Sequence, residues 1–234
     1  MKTFRSVNRP ISRFSPAAAQ NVRNMLDSRL FQGYVFLSVA YYALLFVSNL
    51  LEGTDLIVGL ILLLVQGFIT AECVILYQRK ESRNLRHLSI FCLIGMIVVF
   101  LICLFLGATV LTLNVEYKAG TEEILSLWAE ADLAKGMPYM IMTVASAGLL
   151  GGALLCLWKA LGMSADLLEH RGASRNWYIP AAITLALFAL MTLVMLALQP
   201  GHWLNMLTNI VSVIGCFCLA LLLWQAGQGF RQAQ

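Results

Sequence analysis

The sequence predicts an all-α membrane protein: a bundle of six transmembrane helices, with surface helices in the N-terminal segment and in the longest outer loop. Hydrophobic residues make up 60% of the 234 residues, charged residues only 12%, and the mean hydropathy is +0.79. Soluble domains have roughly 45–50% apolar and about 25% charged residues. The apolar residues also form runs of about 20, the length that a helix needs to cross a bilayer.

Six apolar segments are the predicted spans. Each is apolar on nearly every face and lacks the alternation of a β-barrel strand, so each predicts a helix. The spans are expected at 30–51, 56–77, 88–111, 137–161, 178–198 and 203–224. Together they form one transmembrane domain over 30–224, since no intervening stretch is long enough for a separate soluble domain.

Residues 1–29 form a basic N-terminal segment that ends in a helix. Ser15 followed by Pro16 is a favourable start, because the hydroxyl caps a free backbone N–H and proline fits the first turn. One face of this helix would carry Val22, Met25, Leu26 and Leu30. We expect a juxtamembrane amphipathic helix with basic residues at anionic lipid headgroups, or as the alternative a docking site for a cytoplasmic partner.

The longest outer loop is expected to contain a second surface helix at about 121–135. Thr121 is a suitable N-cap, and Glu122 and Glu123 fall in the first turn, where carboxylates favour the positive end of the helix dipole. Trp128 would lie at headgroup level on a helix flat against the outer surface. A lid over a cavity and a docking face are the alternatives.

The Lys and Arg residues predict the orientation. All of them except Lys118 and Lys135 fall on one side of a chain that crosses six times, and basic loops stay cytoplasmic. Both termini, including a tail at 225–234, are therefore expected in the cytoplasm. The bacterial inner (plasma) membrane is the favoured location. The mitochondrial inner membrane is the alternative, because the Arg- and Ser-rich leader without an acidic residue before Asp27 resembles a transit peptide in composition.

Several classes of function are not expected. The basic residues are spread over short segments instead of lining a groove among aromatic residues, so no nucleic-acid partner is expected. The motifs HExxH, GxSxG and Walker A do not occur, and we expect no enzyme. The six cysteines fall within predicted spans without a CxxC motif, and the histidines lie at span ends or in loops. No metal site, haem or other cofactor is therefore expected.

Glu72 is a carboxylate inside the otherwise apolar second span, in FITAECVILYQRK. It lies five residues before Tyr77, roughly 8 Å from the predicted cytoplasmic end of the helix. One interpretation pairs it with Arg79 or another cytoplasmic base at the interface. The other makes it a protonatable or cation-binding group that faces the bundle interior.

The last span carries a polar face, which runs from the outer end to past the middle. Its members recur at intervals of three and four: His202, Asn205, Asn209, Ser212 and Cys216. Because lipid would not tolerate this face, it is expected to point into the bundle or to another subunit, as interhelix hydrogen bonds or as the lining of a polar path. Gln66 and Thr70 on the second span, with Ser48 and Asn49 on the first, complete the candidate polar site.

The fourth span carries a packing signal. Ala147 and Gly151, and likewise Gly148 and Gly152, are four residues apart and form a flat strip that another helix can approach, within one chain or between protomers. A homo-oligomer or a membrane-complex partner is therefore a possibility that the sequence leaves open.

Two classes of function follow from these features. The leading hypothesis is a transport-type membrane component that moves or gates a small solute or a proton, alone or as the membrane subunit of a larger system. The alternative is a non-catalytic interaction protein, such as a complex subunit, an assembly factor or an immunity-type protein. In the alternative, the intramembrane polar groups bind other helices.

Overall fold

The computed structural model describes residues 15–52, 56–119, 133–172, 175–198 and 203–232. These residues are helical and contain no strand, in seven helices: α1 Pro16–Leu26, α2 Arg29–Glu52, α3 Leu56–Arg79, α4 Ser82–Ala119, α5 Leu133–Leu168, α6 Tyr178–Leu198 and α7 Trp203–Gln232. Helices α2 to α7 are long and apolar enough to cross a membrane, which confirms the predicted six-helix membrane bundle. Residues 1–14, His202 and most of the predicted outer-loop helix lie outside the described residues.

Three helices are longer than the apolar runs that predicted them. Helix α4 begins at Ser82, α5 continues to Leu168 and α7 continues to Gln232. The apolar runs end where charged residues begin, but the helices continue because their extensions bury side chains against one another. Leu85, Leu167 and Phe230 in these extensions are almost fully buried.

Helices α2 to α7 form a closed ring. Each helix packs against its neighbours in sequence, and α2 packs against α7. At this seam Cys218 Sγ donates to the carbonyl oxygen of Leu30 at 3.3 Å, and Ser48 Oγ donates to Asn205 Oδ1 at 3.1 Å. The outer surface of the ring carries exposed apolar side chains such as Phe36, as expected for helices in contact with lipid.

One end of the ring brings together α1, the α3–α4 turn, the α5–α6 loop and the C-terminal end of α7. Asn21 Nδ2 donates to the carbonyl oxygen of Ala226 at 2.8 Å, and Asn176 Nδ2 to that of Gly227 at 2.8 Å. We term this the basic end, because it carries Arg23, Arg29, Arg79, Lys80, Arg83, Arg86, Lys159, Arg171, Arg175 and Arg231. The opposite end is termed the far end. Helix α1 and the C-terminal end of α7 therefore lie on the same side of the ring.

Helix α1 lies across the basic end of the ring. It begins as the sequence predicts, with Pro16 in the first turn and Ser15 Oγ accepting a hydrogen bond from Ala18 N at 3.3 Å. Its apolar face was expected on lipid but packs against α5 and α7, so that Val22 and Leu26 are fully buried. The extensions of α5 and α7 supply the apolar surface for this contact. The opposite face of α1, with Arg23, is exposed.

The α3–α4 turn and the end of α5 use left-handed backbone conformations. Lys80 has φ 53°, and its N–H donates to the carbonyl oxygen of Leu76 at 2.8 Å, which ends α3. Lys80 also forms an ion pair with Asp27, directly after α1. His170 has φ 61° at the end of α5. These tight turns place the α3–α4 pair and the α5–α6 loop at the same end of the ring.

The packed hydrophobic core lies in the half of the ring next to the basic end. Besides α1, it includes residues up to Val35 of α2, Leu88 of α4 and Leu185 of α6, and residues from Cys73 of α3, Ala153 of α5 and Ala220 of α7 onward. The largest fully buried side chains in this core are Tyr178, Phe230, Leu26, Leu76, Leu85, Leu167 and Val22. Among the residues whose side chains are described, the half next to the far end contributes none to this core.

Substitution of glycine by alanine should have different effects at the tight α6–α7 contact and at the more open surface of α5. A Cβ atom at Gly227 would lie 2.7 Å from Ile179 Cγ1 and 3.4 Å from the backbone nitrogen of Ile179, whereas one at Gly148 meets no atom within 4 Å. Overpacking costs typically 1–3 kcal/mol, and alanine otherwise stabilises a helix by roughly 0.5–1 kcal/mol relative to glycine. We expect Gly227→Ala to lower the thermal midpoint in detergent and Gly148→Ala to leave it unchanged or raise it. Equal midpoints would contradict the close α6–α7 packing.

Candidate functional site

Glu72 is buried in the interface between α3 and α4. Its side chain is held by α4: Asn84 Nδ2 donates to Glu72 Oε2 at 2.9 Å, and His87 Nδ1 lies 3.1 Å from Glu72 Oε1. The predicted partner Arg79 is exposed at the end of α3. His87 is not among the residues predicted for this site. It could have been found by folding the chain back at Lys80, since residues at similar distances from a tight turn oppose each other in an antiparallel helix pair.

The Glu72 cluster, made of Glu72, Asn84 and His87, joins a carboxylate to an amide and an imidazole. The amide stabilises the carboxylate by a hydrogen bond, and the imidazole forms an ion pair with it when protonated. The side chain of His87 is 39% exposed, against 10% for that of Glu72. The imidazole is thus the more accessible member, and the cluster holds α3 to α4.

Thr70 and Gln66 lie on a different side of α3 from Glu72. Thr70 is buried, and its Oγ1 lies 3.2 Å from Ser38 Oγ of α2. Gln66 is half-buried one turn away. Because two residues along a helix differ by about 200° around its axis, Thr70 faces α2 while Glu72 faces α4. The structure therefore does not bring these predicted site residues together in one cluster.

The polar residues of α7 are only partly covered by the chain. Asn205 and Asn209 are exposed and Ser212 is half-buried, although Asn205 accepts the hydrogen bond from Ser48. The exposed apolar Leu207 is two residues from both asparagines, about 200° around the axis. In the half of α7 near the far end, exposed side chains therefore occupy two different faces. One is apolar and faces lipid, and the other is polar and includes the contact with α2.

The small residues of α5 have two different surroundings. A Cβ atom at Gly151 would lie 3.5 Å from Val99 Cγ1, so this glycine packs against α4. Ala147 is half-buried. A Cβ atom at Gly148 or Gly152 would meet no atom within 4 Å, so neither serves a close helix contact within the chain. Their use in contact with a second subunit stays a prediction.

The cysteines and histidines do not assemble a metal site in the part of the chain that the structure describes. No group of three or more His, Cys, Asp or Glu side chains there could hold a metal ion. All six cysteines are free thiols, and Cys73 and Cys156 belong to the packed core. Within this core they occupy the volume of small hydrophobic side chains.

A clasp of charged residues joins α4 to α5 at the basic end. Arg86 donates from Nε and Nη2 to the two oxygens of Glu169 at 2.8 and 2.7 Å, and its Nη2 also donates to Asp166 Oδ1 at 3.0 Å. Arg171 Nε lies 3.6 Å from Glu169 Oε2. The hydrogen bonds from Arg86 hold the pKa of the Glu169 carboxyl below its ordinary value. Such a bidentate pair fixes geometry as well as charge.

No protein-family model, no curated protein and no solved structure matches this chain.

Removal of the amide in the Glu72 cluster should destabilise the α3–α4 pair. Asn84→Ala leaves a buried carboxylate without its amide donor, and the loss of a hydrogen bond to a charged group costs about 1.5–3 kcal/mol. Asn24→Ala makes the same change at an exposed site on α1 and should cost less than about 0.5 kcal/mol. Thermal unfolding of both variants in the same detergent measures the difference. Equal small losses would show that Glu72 does not depend on Asn84.

Acid should weaken the clasp. Since folding lowers the pKa of Glu169 from its ordinary value of 4.5, its contribution to stability is complete above that value and is lost as the pH falls through the folded pKa. Melting curves between pH 7 and pH 3 should therefore show a loss of stability below about pH 4.5. In Glu169→Gln this loss should be smaller, because the substituted residue does not titrate. An unchanged pH profile in the variant would contradict the role of Glu169.

Proposed function

We propose that this integral membrane protein is a transport-type component, which moves or gates a small solute or a proton. In this proposal the interior of the ring near the far end is a water-filled vestibule, lined by Asn205, Asn209 and Ser212 of α7 and by Gln66 of α3. The packed core and α1 close the vestibule at the basic end. The observation that carries the proposal is that, among the described residues, the contiguous packed core lies in the half of the ring next to the basic end. In the other half Asn205 and Asn209 of α7 are exposed, although Leu204, Thr208 and Val213 of the same helix are buried.

The two exposed faces of α7 support the vestibule. An amide that faces hydrocarbon without a partner costs several kcal/mol, so an exposed asparagine in a membrane helix requires water or another polar group. Asn209 lies about 140° around α7 from Ile214, which is exposed on the apolar face. Water inside the ring would satisfy Asn209 without placing it against lipid.

The Glu72 cluster has a positioning role in this proposal. Glu72 and His87 lie beside the closed half of the ring and hold α3 to α4. We assign no catalytic reaction to this cluster, because the carboxylate is buried between two helices and is not directed into a substrate cavity.

The proposed orientation places the basic end in the cytoplasm of a bacterial cell, with the ring in the inner membrane. Cytoplasmic loops are enriched in Lys and Arg, and the described part of this chain concentrates these residues at one end. Anionic headgroups of the same leaflet would attract the exposed Arg23 of α1 and the basic residues that precede it. The vestibule would then open to the outside.

A non-catalytic interaction protein is the second candidate. The observation that favours it is that several intramembrane polar groups already pair between helices: Ser38 with Thr70, Ser48 with Asn205, and Glu72 with Asn84. In this case Asn209 would contact a helix of a partner subunit instead of water, and the open surface at Gly148 and Gly152 would be available for a close helix contact.

Thiol accessibility distinguishes a vestibule from a lipid-facing or packed surface. In a chain whose native cysteines are replaced by alanine, with serine at Cys218 to keep its hydrogen bond, Asn209→Cys should react with a membrane-impermeant methanethiosulfonate added at the far end. The reagent attacks thiolates in water. Ile214→Cys, on the exposed apolar face of the same helix, should react at least about tenfold more slowly, since a thiol in hydrocarbon stays protonated.

Two outcomes would contradict the vestibule. If neither thiol reacts, Asn209 does not face water. If both react at the same rate, the two faces of α7 do not differ as proposed. A liposome flux assay then separates the candidates: a normal flux in Asn209→Leu, together with loss of a co-purifying protein, favours the interaction protein.

A further inference from the structure

A cavity of about 290 Å³ lies at the basic end, between the C-terminal part of α5 and the loop that leads to α6. Its lining is rich in aromatic and charged side chains and includes Trp158, Lys159, Met163, Asp166, Arg175 and Trp177. None of these residues belongs to the Glu72 cluster or to the proposed vestibule. The volume is close to the lower limit of ligand pockets, which suits a small polar group better than a whole large molecule.

Each of the two cations in the cavity stacks on an indole ring. Lys159 Nζ lies 3.9 Å from the ring centroid of Trp158, and the guanidinium carbon of Arg175 lies 4.9 Å from that of Trp177. A cation–π contact does not use the N–H groups of the cation as hydrogen-bond donors to another polar side chain. Both cations therefore keep donors for a ligand.

The cavity has an excess of positive charge. Among the described residues neither Lys159 nor Arg175 forms an ion pair, whereas Asp166 already accepts a hydrogen bond from Arg86. The charge of Asp166 is thus matched from outside the cavity, and two unmatched cations remain inside it. The carboxylate of Asp166 has further lone pairs, which can accept a hydrogen bond from a hydroxyl group. A ligand with one anionic group and nearby hydroxyls would complement this lining.

The position of the cavity indicates where such a ligand would come from. The lining residues of α5 lie at the end of its apolar run, within about three turns of Leu155, which is exposed on the outer surface. Tryptophan, lysine and arginine at this level are typical of the region of lipid headgroups. A lipid whose phosphate reached the two cations would keep its acyl chains against the apolar side of α5.

We propose that this cavity binds the phosphodiester of an anionic lipid, with Lys159 and Arg175 as its charge partners and Asp166 as acceptor for a headgroup hydroxyl. A glycerol headgroup supplies both the negative charge and the hydroxyls, whereas a choline headgroup supplies a cation and no hydroxyl. The site is distinct from general attraction of the basic end to anionic membranes, since it depends on two particular cations held by indoles. It does not rest on the proposed transport function.

The two indoles provide the measurement. The full chain with Trp128, Trp203 and Trp224 replaced by phenylalanine keeps only Trp158 and Trp177 as fluorophores. In phosphatidylcholine vesicles, a rising fraction of phosphatidylglycerol should change their emission in a saturable way. Lys159→Gln combined with Arg175→Gln should raise the fraction needed for half of the change by about tenfold, as the loss of two charge contacts implies.

A matched control removes the same charge elsewhere on the basic end. Arg79→Gln combined with Arg83→Gln, both exposed and outside the cavity, should leave the titration unchanged. An equal loss in this control would overturn the site in favour of general electrostatic attraction. Arg175→Lys keeps the charge but loses the planar guanidinium, and it should give an intermediate shift of the titration. This variant tests the site even if the double variant fails to fold. An unshifted titration in Arg175→Lys would count against the site.

Soluble phosphate esters test the source of the ligand. Glycerol phosphate added to phosphatidylcholine vesicles should not reproduce the change at millimolar concentration, because it lacks the local concentration that the membrane gives a lipid. If it does reproduce the change, the site binds a soluble phosphate ester and the lipid assignment is wrong. If phosphatidylglycerol produces no saturable change in the otherwise unaltered chain, the phosphate site itself is wrong.

Discussion

The contact between α2 and α7 is the constraint on which the rest of the structure depends. Small residues lie in it: a Cβ atom at Gly33 would make ordinary van der Waals contact with Cys218 Sγ at 3.9 Å, and one at Gly215 with Leu37 Cβ at 4.0 Å. Because this seam joins the first and last spanning helices, six helices close into a ring in which each has two neighbours. It also brings the C-terminal end of α7 next to α1, which then lies across one opening of the ring.

Closure of the ring gives its two halves different properties. Near the basic end, helix extensions outside the apolar spans bury one another and α1, and the Arg86 clasp and the Glu72 cluster fix α4 against both of its neighbours. Near the far end, the contacts between α2 and α7 include the polar pair Ser48 and Asn205. In the proposed transport function, motion that opens a path is expected in the far half, because no described residue of that half belongs to the contiguous core.

The sequence predicted what hydropathy and local capping determine. Six apolar runs gave six helices, and Ser15 with Pro16 gave the start of α1, because chain length in a bilayer and N-cap chemistry are local properties. The helix extensions were missed because their amphipathic sides are stabilised by tertiary packing. The partners of Glu72 were missed for a similar reason: they depend on how the Lys80 turn rotates α4 against α3. The group that contacts the polar face of α7, whether water or a helix of a partner subunit, could not be predicted because it is not part of this chain.

Cross-linking across the seam is the most direct test of the closed ring. In the chain without native cysteines, Ser48→Cys and Asn205→Cys should form a disulfide on mild oxidation, because Ser48 Oγ lies 3.1 Å from Asn205 Oδ1. Leu50→Cys and Leu207→Cys, both exposed on the same two helices, form the matched control and should not cross-link within one chain. Cleavage in the loop between α4 and α5, followed by electrophoresis with and without reductant, reads the result. A closed ring predicts that, without reductant, the two fragments stay together in the variant with cysteines at 48 and 205 and separate in the control variant. Separation of the fragments in the first variant would contradict the closed ring.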